Sequence, residues 1–122
     1  MLKRLLLPLA LIALAIAVPA AYGRAAAGTL HGEVYPDSQF KIEMTTAADK
    51  KLTTVKAGTY KIKIEDNASI HNFHLTGPGV NKKTSVSGKG DTTWTVKLKP
   101  GKYTYMCDPH AAQMRGTFKV TT

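Results

Sequence analysis

From Leu30 onward, apolar side chains recur at every second position in short runs. Turn residues part these runs at intervals of roughly 8 to 12, which is the spacing of an all-β sandwich or barrel. The segment Tyr60-Lys61-Ile62-Lys63-Ile64-Glu65 alternates strictly, so Tyr60, Ile62 and Ile64 are predicted to face a core and the charged residues to face water. Residues 93–99 repeat the pattern, with Trp94, Val96 and Leu98 predicted inward. Pro100-Gly101 then turns the chain into 102–107, and the two runs are expected to form a hairpin. Further strands are predicted over 29–35, 40–44, 51–55, 71–75 and 116–121. Asp66-Asn67, Gly77-Pro78-Gly79 and Gly88-Lys89-Gly90-Asp91 read as loops. No helical period of useful length and no internal repeat is visible.

The first 27 residues follow a different rule. Lys3 and Arg4 precede an apolar run over 5–18 broken only by Pro8, and small residues crowd 21–27, the order of a secretory signal peptide cleaved at about 23–27. Fourteen residues fall short of the ~20 that a membrane-spanning helix needs. A cleaved leader is therefore read in preference to an anchor, and the mature domain, 28–122, is expected to be periplasmic or extracellular without stable membrane insertion. A domain of that length buries roughly 60–70% of its unfolded surface, which is room for one core but not for an elaborate catalytic cleft. Removing Lys3, Arg4 and Arg24 from 17 basic side chains leaves 14 against 8 acidic ones, a net +6. Cys107 is the sole cysteine, so no internal disulfide can form. An exported thiol must then be buried, bound to metal or paired between molecules.

Near the C-terminus, Cys107, His110 and Met114 follow one another in a Cys-x2-His-x3-Met spacing. Strand parity puts Tyr103, Tyr105 and Cys107 on one apolar face, and Met114, Gly116, Phe118 and Val120 on another. The loop between the two strands can therefore aim Cys107 and Met114 into the same end of the sandwich, with His110 between them. A fourth donor is offered by Ile70-His71-Asn72-Phe73-His74-Leu75. His71 shares the face of Phe73 and Leu75, while Asn72 and His74 point the other way, so His71 is chosen over His74. Two imidazoles, a thiolate and a weak thioether form the ligand set of a mononuclear electron-transfer copper site. His31, His74, Met44 and Met106 are read as packing or exposed residues.

Here the chain resembles the plastocyanin-like cupredoxins, the family of plastocyanin, pseudoazurin and amicyanin. The resemblance rests on the 94–107 run, Cys107-Asp108-Pro109-His110, Met114-Arg115-Gly116 and His71-Asn72, and it covers nearly the whole mature segment. It implies a Greek-key β-sandwich holding one type 1 copper through His71, Cys107, His110 and Met114. It also implies that Asn72 braces the cysteine loop beside the ligands. Pro109, which has no N–H, cannot donate to the thiolate from its position.

Several functions are closed by absence. One cysteine cannot build a binuclear copper centre, and Met106 and Asp108 stand where a multicopper oxidase carries histidines. No phosphate loop, nucleophile elbow or Cys-x2-Cys pair occurs, and an exported basic protein without a basic aromatic cluster gives no reason to expect nucleic acid. The expected protein is a monomeric, non-enzymatic carrier of single electrons between transient and acidic redox partners. A copper storage, delivery or sensing module is the alternative, and a metal-free immunoglobulin-like adhesion domain the remoter one. Docking is expected around His110, Ala111 and Ala112, with Gly77-Pro78-Gly79 at the same end.

Overall fold

The computed structural model describes residues 26–122, so the leader expected over 1–27 lies outside the described residues except for Ala26 and Ala27. No helix among them is long and apolar enough to cross a membrane. Nine strands follow in order: β1 Gly28–Val34, β2 Ile42–Thr46, β3 Thr54–Lys56, β4 Gly58–Asp66, β5 His74–Gly77, β6 Val80–Lys83, β7 Gly90–Leu98, β8 Gly101–Met106 and β9 Arg115–Thr121. A single 3-10 turn, Asp108–His110, separates the last two.

Alternation sets which face each strand buries. In β4 Tyr60, Ile62 and Ile64 are buried while Lys61, Lys63 and Glu65 are exposed, and the period runs on to bury the carboxylate of Asp66. The strands form two sheets, β2-β1-β4-β7 and β3-β9-β8-β5-β6, whose apolar faces close on each other as a Greek-key β-sandwich. β1 lies parallel to β4, from Gly28 opposite Tyr60 to Val34 opposite Asp66. β8 and β9 are antiparallel, from Gly101 opposite Val120 to Met106 opposite Arg115. The ends of β1, β4 and β8 and the starts of β2, β5, β7 and β9 thus meet at one end of the sandwich.

Several local expectations are corrected. The runs before and after Pro100-Gly101 do not pair: β7 bonds to β4, and β8 bonds to β5 and β9. Each run has an apolar face, and placing them in opposite sheets buries both faces while other strands satisfy both backbones. Gly101, at φ 142°, makes the crossing turn, where any Cβ would meet the Pro78 ring. That contact puts Gly77-Pro78-Gly79 at the opposite end from the cysteine loop, since β5 runs antiparallel to β8 with His74 beside Met106. Trp94 is only partly buried, with the Lys82 ammonium 5.9 Å from its ring centre. The predicted strand at 40–44 begins at Ile42 and leaves Phe40 in a loop, and that at 51–55 begins at Thr54 after a lone bridge from Thr45 to Lys51. Gly90 and Asp91 belong to β7 rather than to a loop. β6 was not legible because it buries only Val80.

The core is wedged by aromatic rings. Phe73 stacks on Tyr105 at 5.9 Å between centroids and meets the Trp94 ring edge-on at 6.2 Å. Gly32 makes room for it: a Cβ there would lie 2.8 Å from the Phe73 ring and 2.6 Å from Ile64.

Candidate metal centre

β8 ends one residue before Cys107, whose backbone N–H donates to the Met114 carbonyl at 3.0 Å and so closes the base of the loop. Inside it, the His110 N–H donates to the Cys107 carbonyl (3.1 Å) and the Met114 N–H to the His110 carbonyl (2.8 Å). Pro109 sits in the first turn of the 3-10 segment, where its missing N–H would have had no partner within the turn. Short local bonds therefore fix Cys107, His110 and Met114 relative to one another. Cys107 and Met114 are fully buried, while the His110 ring is partly exposed.

His71 reaches the site by another route. The strand expected over 71–75 starts only at His74, because the preceding backbone is held by side chains rather than by a ladder. Asp66 accepts from the Ala68 N–H (3.1 Å) and from the Thr84 hydroxyl (3.0 Å), and that hydroxyl oxygen accepts from the Phe73 N–H (2.8 Å). Burial pushes the Asp66 carboxyl pKa up, and these hydrogen bonds only partly offset it. Outside, Asp37 accepts from the N–H groups of Ser69 and Ile70 and from the Ser69 hydroxyl. The segment curls inward and buries His71 completely.

The donor atoms converge. His71 Nδ1 and His110 Nδ1 lie 3.0 Å apart, and Cys107 Sγ is 3.8 Å from the first and 3.6 Å from the second. The three residues form the single cluster with metal-ligand spacing among the described residues. Neither His74, set aside by parity, nor His31 joins it. His74 Nδ1 is instead 2.6 Å from Asp108 Oδ1, and its Nε2 is 2.6 Å from Asn81 Oδ1.

The sequence profile of the copper binding proteins of the plastocyanin/azurin family matches residues 40–121. The chain belongs to that family. Among solved structures, the cupredoxin fold is shared with a methionine-to-glutamine variant of rusticyanin (22% identity, 76% of each chain covered, TM-score 0.55). It is shared too with dithionite-reduced auracyanin from Roseiflexus castenholzii (20% identity, 80% of this chain and 100% of that one, TM-score 0.56), and with rusticyanin from Thiobacillus ferrooxidans (20% identity, 76% of each, TM-score 0.52). No curated protein sequence matches the chain.

This cupredoxin's donor set fits copper. Ligands sharing a first-row ion at about 2.0 Å for nitrogen and 2.3 Å for sulfur stand roughly 3–4 Å apart, as these three do. One thiolate with two imidazoles mixes soft and borderline donors, the combination that selects copper over the hard cations. His71 Nε2 is buried without a hydrogen-bond partner, so Nδ1, facing the cluster, is the one imidazole nitrogen of His71 with polar company.

Two further residues frame the site. Asn72, placed outward by parity, is buried: its Oδ1 accepts from the Asp108 N–H (2.8 Å), and its Nδ2 donates to Asp108 Oδ2 (2.9 Å) and to the Thr84 carbonyl (3.3 Å). Burial acts to raise the Asp108 pKa, but bonds from His74 and Asn72 outweigh it and hold the carboxyl below its ordinary value. Phe40 was missed as a site residue. Half exposed, it meets the rings of His71 (5.2 Å) and His110 (5.0 Å) edge-on. Its signal in the sequence was misleading, because Phe40 opens the alternating run 40–44 and so reads as a strand core residue.

Asn72→Ala is expected to cost about 1–3 kcal/mol of stability, since it strands buried partners rather than removing apolar contact. Denaturant titration checks this, and a loss below about 0.5 kcal/mol would mean water replaces the amide.

Proposed function

We propose that this cupredoxin is an exported single-electron carrier that catalyses no substrate reaction. Its copper would be held in a trigonal arrangement by His71, Cys107 and His110, with Met114 as the weak axial donor. The observation that carries the reading is the convergence of three donors on a frame that side-chain and loop hydrogen bonds fix. Copper supplies a one-electron couple whose two states favour nitrogen and sulfur donors differently. The chain's part is to hold one geometry for both, so that little reorganisation accompanies transfer. Asn72 would steady the cysteine loop through Asp108, and Pro109 would withhold a hydrogen bond from the Cys107 sulfur.

Electron exit is supported by the surface. Phe40, Ile70 and Val86 are the exposed large apolar side chains among the described residues, and all three lie in loops at the end where His110 is partly exposed. Gly77-Pro78-Gly79 takes no part, being at the other end. A small apolar patch around an imidazole suits brief encounters of a monomer with transient redox proteins, and the net positive charge suits acidic ones.

The test joins voltammetry with variants. Copper-loaded protein is expected to cycle reversibly, His71→Ala to lose its colour, and His74→Ala to retain it. Equal losses from both histidines would overturn the ligand assignment. Ready release of Cu(I) to a chelator without reversible cycling would instead support storage, delivery or sensing.

A further inference from the structure

His74 stands in β5 between two other strands, opposite Lys83 of β6 on one side and Met106 of β8 on the other. Leu75 points into the core, so His74 points out of the sandwich, yet its side chain is only 17% exposed. Both ring nitrogens are engaged: Nδ1 lies 2.6 Å from Asp108 Oδ1, and Nε2 lies 2.6 Å from Asn81 Oδ1. An ionised carboxylate only accepts, so Nδ1 donates to Asp108. Asn81, in the edge strand β6, holds the opposite side of the ring and so fixes its plane. Asp108 directly follows Cys107 and opens the 3-10 turn that ends in His110. Its second oxygen and its N–H are held by Asn72. Asn81, His74, Asp108 and Asn72 thus form one bonded chain from an edge strand to the residue beside His71. Among the described residues, His74 is the one strand side chain with a hydrogen bond to residues 107–114.

We propose that His74 is a positioning residue for the copper site: it binds no metal itself but holds Asp108, and with it the Cys107–His110 turn, in the geometry that copper requires. The inference rests on the electron-carrier reading and adds to it a residue outside the ligand set. The loop hangs from β8 and β9 at its two ends, and its internal bonds fix Cys107, His110 and Met114 to one another. Among the described residues, no backbone bond joins the stretch from Asp108 to Gln113 to a strand. Asn72 cannot supply that tie alone, because it sits in the irregular segment that carries His71 and moves with it. His74 is bonded on both sides into the sheet, and a support mounted on a strand is more precise than one mounted on a loop. A turn tied to that frame has less freedom to shift when copper changes oxidation state, as a small reorganisation demands. A ring that only filled space would have no need of partners on both nitrogens.

Two substitutions separate this role from packing. His74→Phe keeps a ring and loses both hydrogen bonds, whereas His74→Asn puts an amide nitrogen near the place of Nδ1 and keeps a donor to Asp108. In the copper-free protein, amide hydrogen exchange at Asp108, His110 and Met114 is expected to quicken about tenfold or more in His74→Phe. Exchange at Ile62 and Ile64 in β4 should stay unchanged, and His74→Asn should return the loop amides toward the wild-type rate. In the loaded protein, His74→Phe should keep its colour while the charge-transfer band and the Cu(II) hyperfine splitting shift. Its affinity for Cu(I), read by competition with a chelator, is expected to fall about tenfold or more, and His74→Asn to recover both properties. Asp108→Ala is expected to reproduce at least these changes. Adding His74→Phe to it should then change little, because residues that act through one contact are not additive. Wild-type exchange and spectrum in His74→Phe, equally faster exchange in β4, no recovery in His74→Asn, or full additivity with Asp108→Ala would overturn the proposal. A coloured wild-type protein that fails to cycle reversibly would overturn the carrier reading instead, and exchange in the copper-free protein would still decide the role of His74.

Discussion

Replacing Cys107 by serine is expected to abolish the intense visible absorption of the Cu(II) protein, because the sulfur is both a proposed ligand and the source of the charge-transfer band. A serine hydroxyl keeps nearly the same shape, and its oxygen remains beside the Nδ1 atoms of His71 and His110, now 3.8 Å and 3.6 Å from sulfur. The fold should therefore survive. Copper binding should not survive in its strong form, since a neutral hydroxyl is a far poorer donor to copper than a thiolate. A ligand present at 1,000 times its dissociation constant stabilises the native state by ~4 kcal/mol. For a domain near 100 residues, each kcal/mol moves the melting temperature by about 4–8 °C. Copper is thus expected to raise the wild-type melting temperature by roughly 15–30 °C and that of Cys107→Ser by only a few degrees. Calorimetry with and without copper checks the second half, and absorption spectra the first. Retention of a strong band by the serine variant would remove Cys107 from the site.

Phe73→Ala is expected to cost the copper-free protein about 3–5 kcal/mol, out of a total stability of about 5–15 kcal/mol. The ring is fully buried, stacked on Tyr105, set edge-on to Trp94 and seated against Gly32 and Ile64. It comes from the segment that carries His71, so the cavity would open beside the proposed copper site as well as in the core. Copper added to the folded fraction should restore much of the loss by mass action. Phe73→Leu, which leaves a smaller void, should cost clearly less. Urea titrations with an unchanged slope measure these differences. A loss below about 1 kcal/mol for the alanine variant would mean that neighbouring rings collapse into the space.

Alternation alone was enough to place β4, β8 and the inward residues of β7 beyond Trp94, because a period of two leaves a strand with one buried face only one way to lie. His71 is buried and His74 stays out of the cluster as expected, although the strand parity behind that expectation does not hold, since residues 71–73 precede β5 and are all buried. The Cys-x2-His-x3-Met spacing likewise specified the loop, whose bonds between Cys107, His110 and Met114 are local in the chain. What the sequence left undetermined were relations between distant segments. Parity fixes a strand's face but not its sheet, so 93–99 and 102–107 read as a hairpin until packing put them in opposite sheets. The same blindness put Gly77-Pro78-Gly79 at the wrong end and Asn72 on the opposite strand face from His71: an extended backbone was assumed where Asp66, Asp37 and Thr84 bend the chain inward. The place of Phe40 is likewise a product of assembly, since the residue is unremarkable until its loop brings it against His71 and His110. Local periodicity determined the inward faces of the strands, and local spacing picked out Cys107 and His110 as two of the three donors that meet. Only the tertiary structure decided where they meet with His71 and what holds that histidine there, because those depend on contacts across 30 or more residues of chain.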